Sequence, residues 1–175
     1  MRVLIICNSR CGSTNLINSI SSYYNIPSLF EPFNTQKQIP LNGDVVVKTL
    51  INHNTLSEYI KLSIYFDKVI LLSRRDIIAM SESLYWVSKM WREDGFKEDT
   101  NYHLSEYEYN EEVDVTEKEL HRKVIDRVDL MNKLSDELNI PLDYYEDVFY
   151  KNKTLNDNEI GLDLKFLDNT LKLRK

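Results

Sequence analysis

Apolar residues fall into two patterns along this chain. Short continuous runs at 3–7, 45–47 and 69–72 show no alternation with polar residues, so they read as strands buried on both faces. After the first run, Leu16, Ile17 and Ile20 repeat at helical spacing, and after the last, Met80, Leu84, Val87 and Trp91 follow a 4-3-4 spacing along one face. The pattern predicts strands at 2–7, 28–30, 44–50 and 68–73, with helices over 55–66 and from just after Arg75 to about Arg92, where Asp76 sits near the N-terminus. A helix over 116–138 opens on Thr116 with Glu119 three residues on, the signature of a capping box, and Pro141 then starts a last strand at 142–145. The tail, 151–175, mixes polar and apolar residues and receives no assignment.

Strands separated by helices, with apolar runs in place of alternation, predict an α/β fold whose central, mainly parallel sheet is flanked by helices in three layers. At 175 residues the chain reads as a single domain. Residues 93–115 break the pattern with many acidic residues, tyrosines at 102, 107 and 109 and few aliphatics, and they read as a flexible insert or lid.

Charge and composition narrow the chemistry. A formal charge of −6 offers no general attraction to nucleic acid or anionic membranes, so phosphate binding must be local, and no nucleic-acid partner is expected. The only cysteines, Cys7 and Cys11, make no disulfide framework, which suits a reducing cytoplasm, and no apolar stretch approaches the ~18 residues of a membrane span. His53, His103 and His121 have no metal-ligand spacing, so no metal is expected.

The segment Asn8-Ser9-Arg10-Cys11-Gly12-Ser13-Thr14 joins the first strand to the first helix, where open α/β sheets bind phosphate groups. Backbone N–H groups from Gly12 to Asn15 can line one concavity, Ser13 and Thr14 add hydroxyl donors, and Arg10 adds a full charge. One glycine and no lysine exclude a Walker A loop, and the sixth residue after either cysteine is not arginine, which excludes a phosphatase loop. The structural alternative is a helix-capping turn on Ser13 and Thr14.

Arg10-Cys11-Gly12-Ser13-Thr14 resembles the 5′-phosphosulfate loop of sulfotransferases that use 3′-phosphoadenosine 5′-phosphosulfate (PAPS). Leu71-Leu72-Ser73-Arg74-Arg75-Asp76, with Ser83 eight residues after Arg75, is similar to the family's 3′-phosphate motif, with Arg74 as alternate ligand. Leu29-Phe30-Glu31-Pro32-Phe33 resembles the Phe-Glu-Pro element of carbohydrate sulfotransferases, and Tyr144-Tyr145-Glu146-Asp147-Val148 looks like a family stretch near the last core strand, with a structural role. These elements span residues 2–148 in the family's order. Cys11 stands where Ser or Thr is commoner, and the C-terminal Arg-Lys-Gly loop of cytosolic members has no clear match.

The resemblance implies a P-loop-like fold and transfer of a sulfuryl group from PAPS to a hydroxyl on a carbohydrate, glycolipid or small alcohol, with the desulfated nucleotide PAP as product. Glu31 would be the general base and Arg10 the charge-neutralising cation. Arg10, Cys11, Gly12, Ser13, Thr14 and Asn15 would hold the 5′-phosphate, and Arg75 and Ser83 the 3′-phosphate. Two alternatives stay open: a non-catalytic module that binds PAP or another nucleotide, and an atypical nucleotide kinase. Lys48 could face the acceptor or PAPS but reads as a surface lysine, and Trp86 or Trp91 could stack on adenine, although the spacing makes Trp91 core.

Overall fold

Residue parity along the first strand determines how the molecule is layered. In the computed structural model, which describes residues 1–33, 38–94, 117–151 and 160–162, strand β1 spans Arg2–Cys7. Its odd residues Val3, Ile5 and Cys7 pack with Leu16, Ile17 and Ile20 of helix α1 (Ser13–Tyr24), and its even residues Leu4 and Ile6 pack on the opposite face. All five apolar residues of β1 are fully buried, which is why the segment reads as a continuous apolar run.

Strands β2 (Ser28–Phe30), β3 (Val45–Leu50) and β4 (Lys68–Ser73) join β1, and β5 (Leu142–Tyr144) completes a five-stranded sheet of order β2-β3-β1-β4-β5 with every neighbouring pair parallel. The sheet is therefore wholly parallel where the sequence predicts a mainly parallel one. Helix α2 (Leu56–Ser63), helix α3 (Ile77–Asp94) and helix α4 (Glu117–Leu138) accompany it, with Tyr59 of α2 and Met131 and Leu134 of α4 packed on the face opposite α1. Helices α3 and α4 also pack on each other through Met80, Leu84, Leu120 and Val124. A parallel sheet buried on both faces by helices is the α/β architecture that the apolar pattern demands.

Element ends follow local chemistry. Thr55 caps α2, its side chain accepting from the Glu58 N–H while Glu58 returns the bond to the Thr55 N–H, and the helix stops at Ser63, short of 66. Asp76 Oδ1 accepts from the Ala79 N–H at 2.9 Å, opening α3 as expected. The last strand ends one residue early because Tyr145–Val148 turn into a short helix, α5. Strand β6 (Phe149–Lys151) then pairs antiparallel with β7 (Ile160–Leu162), which lies inside the tail, 151–175, that the sequence leaves unassigned. Of the insert at 93–115 only Glu93 and Asp94 are described, as the end of α3; the rest lies outside the described residues, as do Thr116 and His103. Among the described residues, no helix is long and apolar enough to cross a membrane.

Candidate functional site

Four residues that the chain separates by up to 65 positions come to one edge of the sheet. In a parallel sheet all strands end on the same side, so the loops after β1, β2 and β4, carrying Arg10, Glu31 and Arg75, gather at the carboxyl edge, with Lys48 near the end of β3. The chain departs from β1 to β2 and β3 on one side and reaches β4 and β5 on the other. That makes the gap beyond β1 and β4 the switch point where such sheets hold ligands.

The loop after β1 makes two left-handed turns, Arg10 at φ 62° and Gly12 at φ 78°. Of the non-glycine left-handed residues among those described, Asn25 and Asn139 close helices, where asparagine tolerates that conformation, whereas Arg10 and Glu31 (φ 44°) do not. Such backbone costs roughly 1–3 kcal/mol per residue and persists where surrounding structure enforces it, commonly at functional sites. Gly12 is the N-cap of α1 and offers no side-chain hydrogen bond, and the first turn holds no acidic residue. Ser13 and Thr14 are thus the first two residues of the helix and not its cap, so the capping-turn alternative does not describe this helix start. Gly12 has a packing reason as well. A Cβ there would lie 2.7 Å from Tyr145 Cδ2 and 2.9 Å from Phe149 Cε2.

Arg10 Nε donates to Ser83 Oγ at 2.9 Å, joining the two segments assigned to separate phosphates. Arg75 takes a different partner: its Nη1 and Nη2 donate to Asp147 Oδ1 and Oδ2 at 2.7 and 2.6 Å, and its guanidinium lies 4.3 Å from the Tyr144 ring centroid. That pairing holds the Asp147 carboxyl below the usual carboxylate range. Arg74 sits over the Tyr145 ring at 5.1 Å with Nε 3.8 Å from Glu146, and Glu146 also accepts from the N–H groups of Arg75 and Asp76. The stretch 144–147 thus clamps the arginine pair from β5 and α5.

Glu31 and Lys48 are buried together, their side chains 5% and 4% exposed, in a direct ion pair. The Glu31 N–H also donates to the Lys48 carbonyl at 2.8 Å, so backbone and side chain fix the carboxylate to β3. Lys48 is not the surface lysine that the sequence suggests. It shares the parity of Val46 and Leu50, which face α1, and so turns toward the end of β1. Burial disfavours the Lys48 charge, but Cys7 and Glu31 outweigh it and lift the group above its ordinary value.

Cys7 and Cys11 are free, fully buried and in contact with the Ser13 hydroxyl. Cys11 donates to the Asn8 carbonyl at 2.8 Å and Cys7 to the Thr49 carbonyl at 3.3 Å. Burial pushes both thiols up. For Cys7, hydrogen bonding from Cys11 and the Lys48 charge reverse that and bring it below the ordinary thiol value, while Cys11, with Cys7 adding to the burial, ends well above. Thr14 is half-buried and Asn15 exposed.

Some contributors escape the sequence reading. Arg127 of α4 donates to Ser9 Oγ at 2.8 Å, Ser81 pairs with His121 Nδ1 at 2.9 Å, and Asn8, 1% exposed, bonds Ser73 Oγ while its own Oδ1 has no partner among the described residues. Helical spacing does place Arg127 between Val124 and Met131 on the inward stripe of α4, the one signal that marks it. No group of three or more His, Cys, Asp or Glu among the described residues could hold a metal ion.

The carboxyl edge of the sheet thus gathers the guanidinium groups of Arg10 and Arg75, the hydroxyls of Ser9 and Ser83, the start of α1 and the buried Glu31–Lys48 pair. Comparison with models of known protein families and with curated proteins finds no match to this chain.

Proposed function

We propose that this protein transfers a sulfuryl group from PAPS to the hydroxyl of a carbohydrate, glycolipid or small alcohol. The observation that carries the reading is the 2.9 Å bond between Arg10 and Ser83, because two residues assigned to different phosphates of one nucleotide meet beyond β1 and β4. The start of α1, with glycine at the N-cap and no acidic residue in its first turn, supports it, and so does the strand order, which gives a P-loop-like fold the loop position it needs.

In this reading Gly12, Ser13, Thr14 and the N–H groups of α1 hold the 5′-phosphate, and Arg75 and Ser83 hold the 3′-phosphate. The acceptor oxygen attacks sulfur in line as the bond from sulfur to the 5′-phosphate oxygen breaks. That oxygen keeps the electron pair, Arg10 stabilises its charge, and the acceptor's proton passes to Glu31. Cys11, being buried, contributes through the loop's packing.

A non-catalytic PAP-binding module is the second reading, favoured by one observation: Glu31 is buried against Lys48, so an acceptor must enter that pair before losing its proton. Calorimetric titration with PAP and adenosine 5′-phosphate, followed by PAPS turnover with a panel of neutral sugars and alcohols, separates the two. Tight PAP binding with turnover supports transfer; tight binding without turnover selects the module. Equal affinity for the two nucleotides would sink both, and preference for ATP with Mg²⁺ would point to a kinase.

A further inference from the structure

We infer that Arg127 of α4 is an anion ligand of the nucleotide site, an extension that rests on the sulfotransfer reading for the identity of the nucleotide. Both residues assigned to the 3′-phosphate are engaged elsewhere, Ser83 with Arg10 and Arg75 with both oxygens of Asp147. A 3′-phosphate held by Arg75 and Ser83 must therefore share them with these partners, so a further cation beside the loop would strengthen the site, and the sequence has no clear match to a C-terminal basic loop.

Arg127 lies where that cation is needed. Three and four residues to either side, Val124 packs on α3 and Met131 packs under the sheet, so Arg127 stands on the buried stripe of α4 at the point where the helix passes from one to the other. Its Nη1 reaches Ser9, the residue directly before Arg10, and Ser9 is itself buried. Adjacent loop residues are thus tied to two helices, Ser9 to α4 by accepting from Arg127 and Arg10 to α3 by donating to Ser83. A guanidinium carries five donors in a planar fork, so it can hold Ser9 and a phosphate oxygen together, which a lysine ammonium does less well. Asn8, immediately before Ser9, adds a buried acceptor atom with no donor among the described residues, as a nucleotide hydroxyl or amine would supply.

The test is calorimetric titration of wild type, Arg127→Gln and Arg127→Lys with PAP and, separately, with inorganic pyrophosphate, alongside the Tm of each variant. Arg127→Gln should weaken PAP by about tenfold or more, and pyrophosphate in the same direction, with Arg127→Lys recovering part of the loss and the Tm of Gln and Lys variants alike. Unchanged affinity for both anions in Arg127→Gln, or a loss that follows Tm and is equal in the Lys variant, overturns the inference and leaves Arg127 as a clamp on the loop. Pyrophosphate binding that depends on Arg127, with no preference for PAP over adenosine 5′-phosphate, keeps the inference and overturns the sulfotransfer reading. Wild type that binds neither anion overturns both.

Discussion

A carboxylate and an ammonium buried side by side are costly to separate, so Glu31 does two jobs if it is the base. Removing one member of a buried pair destabilises by about 3–5 kcal/mol, because the other charge is left without compensation. Glu31→Gln should therefore lower urea stability by several kcal/mol, and the double variant Glu31→Gln, Lys48→Met should recover much of it. General-base catalysis contributes ~10²–10⁴-fold, so kcat should fall by that factor in both variants while PAP affinity stays within a few-fold of wild type. Turnover that returns in the double variant would assign Glu31 to neutralising Lys48 and would reject it as base. Gly12 gives a cleaner test of the loop. An added Cβ would stand 2.7–2.9 Å from two aromatic rings at φ 78°, so Gly12→Ala should cost about 2–4 kcal/mol in chemical denaturation, combining overpacking with the left-handed strain.

At the scale of elements, legibility tracks burial. The bounds of β1 and β4 follow from the sequence because each is an apolar run with no polar competitor, whereas the last strand ends early, at Tyr144, where Glu146 and Asp147 turn to the arginine pair after β4. Glu31 and Lys48 are individually visible as a loop acid and a strand lysine, but their pairing depends on β2 lying beside β3, which no local pattern encodes. Arg127 is hidden for the same reason: it answers to Ser9, 118 residues away. Strand β5 supplies a pH prediction. Burial raises the Asp143 carboxyl to about 6, with Lys68 opposing and Asp147 adding to the rise, from an ordinary value of 3.8. The folded state thus prefers the protonated acid; its stabilising contribution is complete below about pH 4 and is lost as pH rises through about 6. Asp143→Asn should be more stable than wild type in urea at pH 7, with the difference vanishing near pH 4. A constant difference across that range would mean that Asp143 titrates normally.

At the scale of the whole molecule, charge is unevenly divided. Residues 93–115 hold nine acidic residues against one lysine, net −8, so the other 152 residues carry 21 basic and 19 acidic side chains, net +2. The acidic character that the overall −6 suggests belongs to one segment of sequence, and the remainder, which bears Arg10, Arg75 and Arg127, is mildly basic. In sequence the segment follows α3, the helix that carries Ser83, and a flank of the acceptor site is the role expected of it. Like-charge repulsion should then disfavour polyanionic acceptors, and neutral sugars or alcohols should be sulfated in preference to heparin-like chains. Replacing Glu106, Glu108, Glu111 and Glu112 with glutamine removes four of the eight net charges. In that variant kcat/KM for a heparin-like acceptor should rise several-fold at low ionic strength while that for a neutral sugar stays constant, and the gap should close near 1 M salt, where screening shortens to about 3 Å. Efficient sulfation of a heparin-like polymer by wild type, with neutral glycans untouched, would show that the acidic segment does not govern acceptor choice.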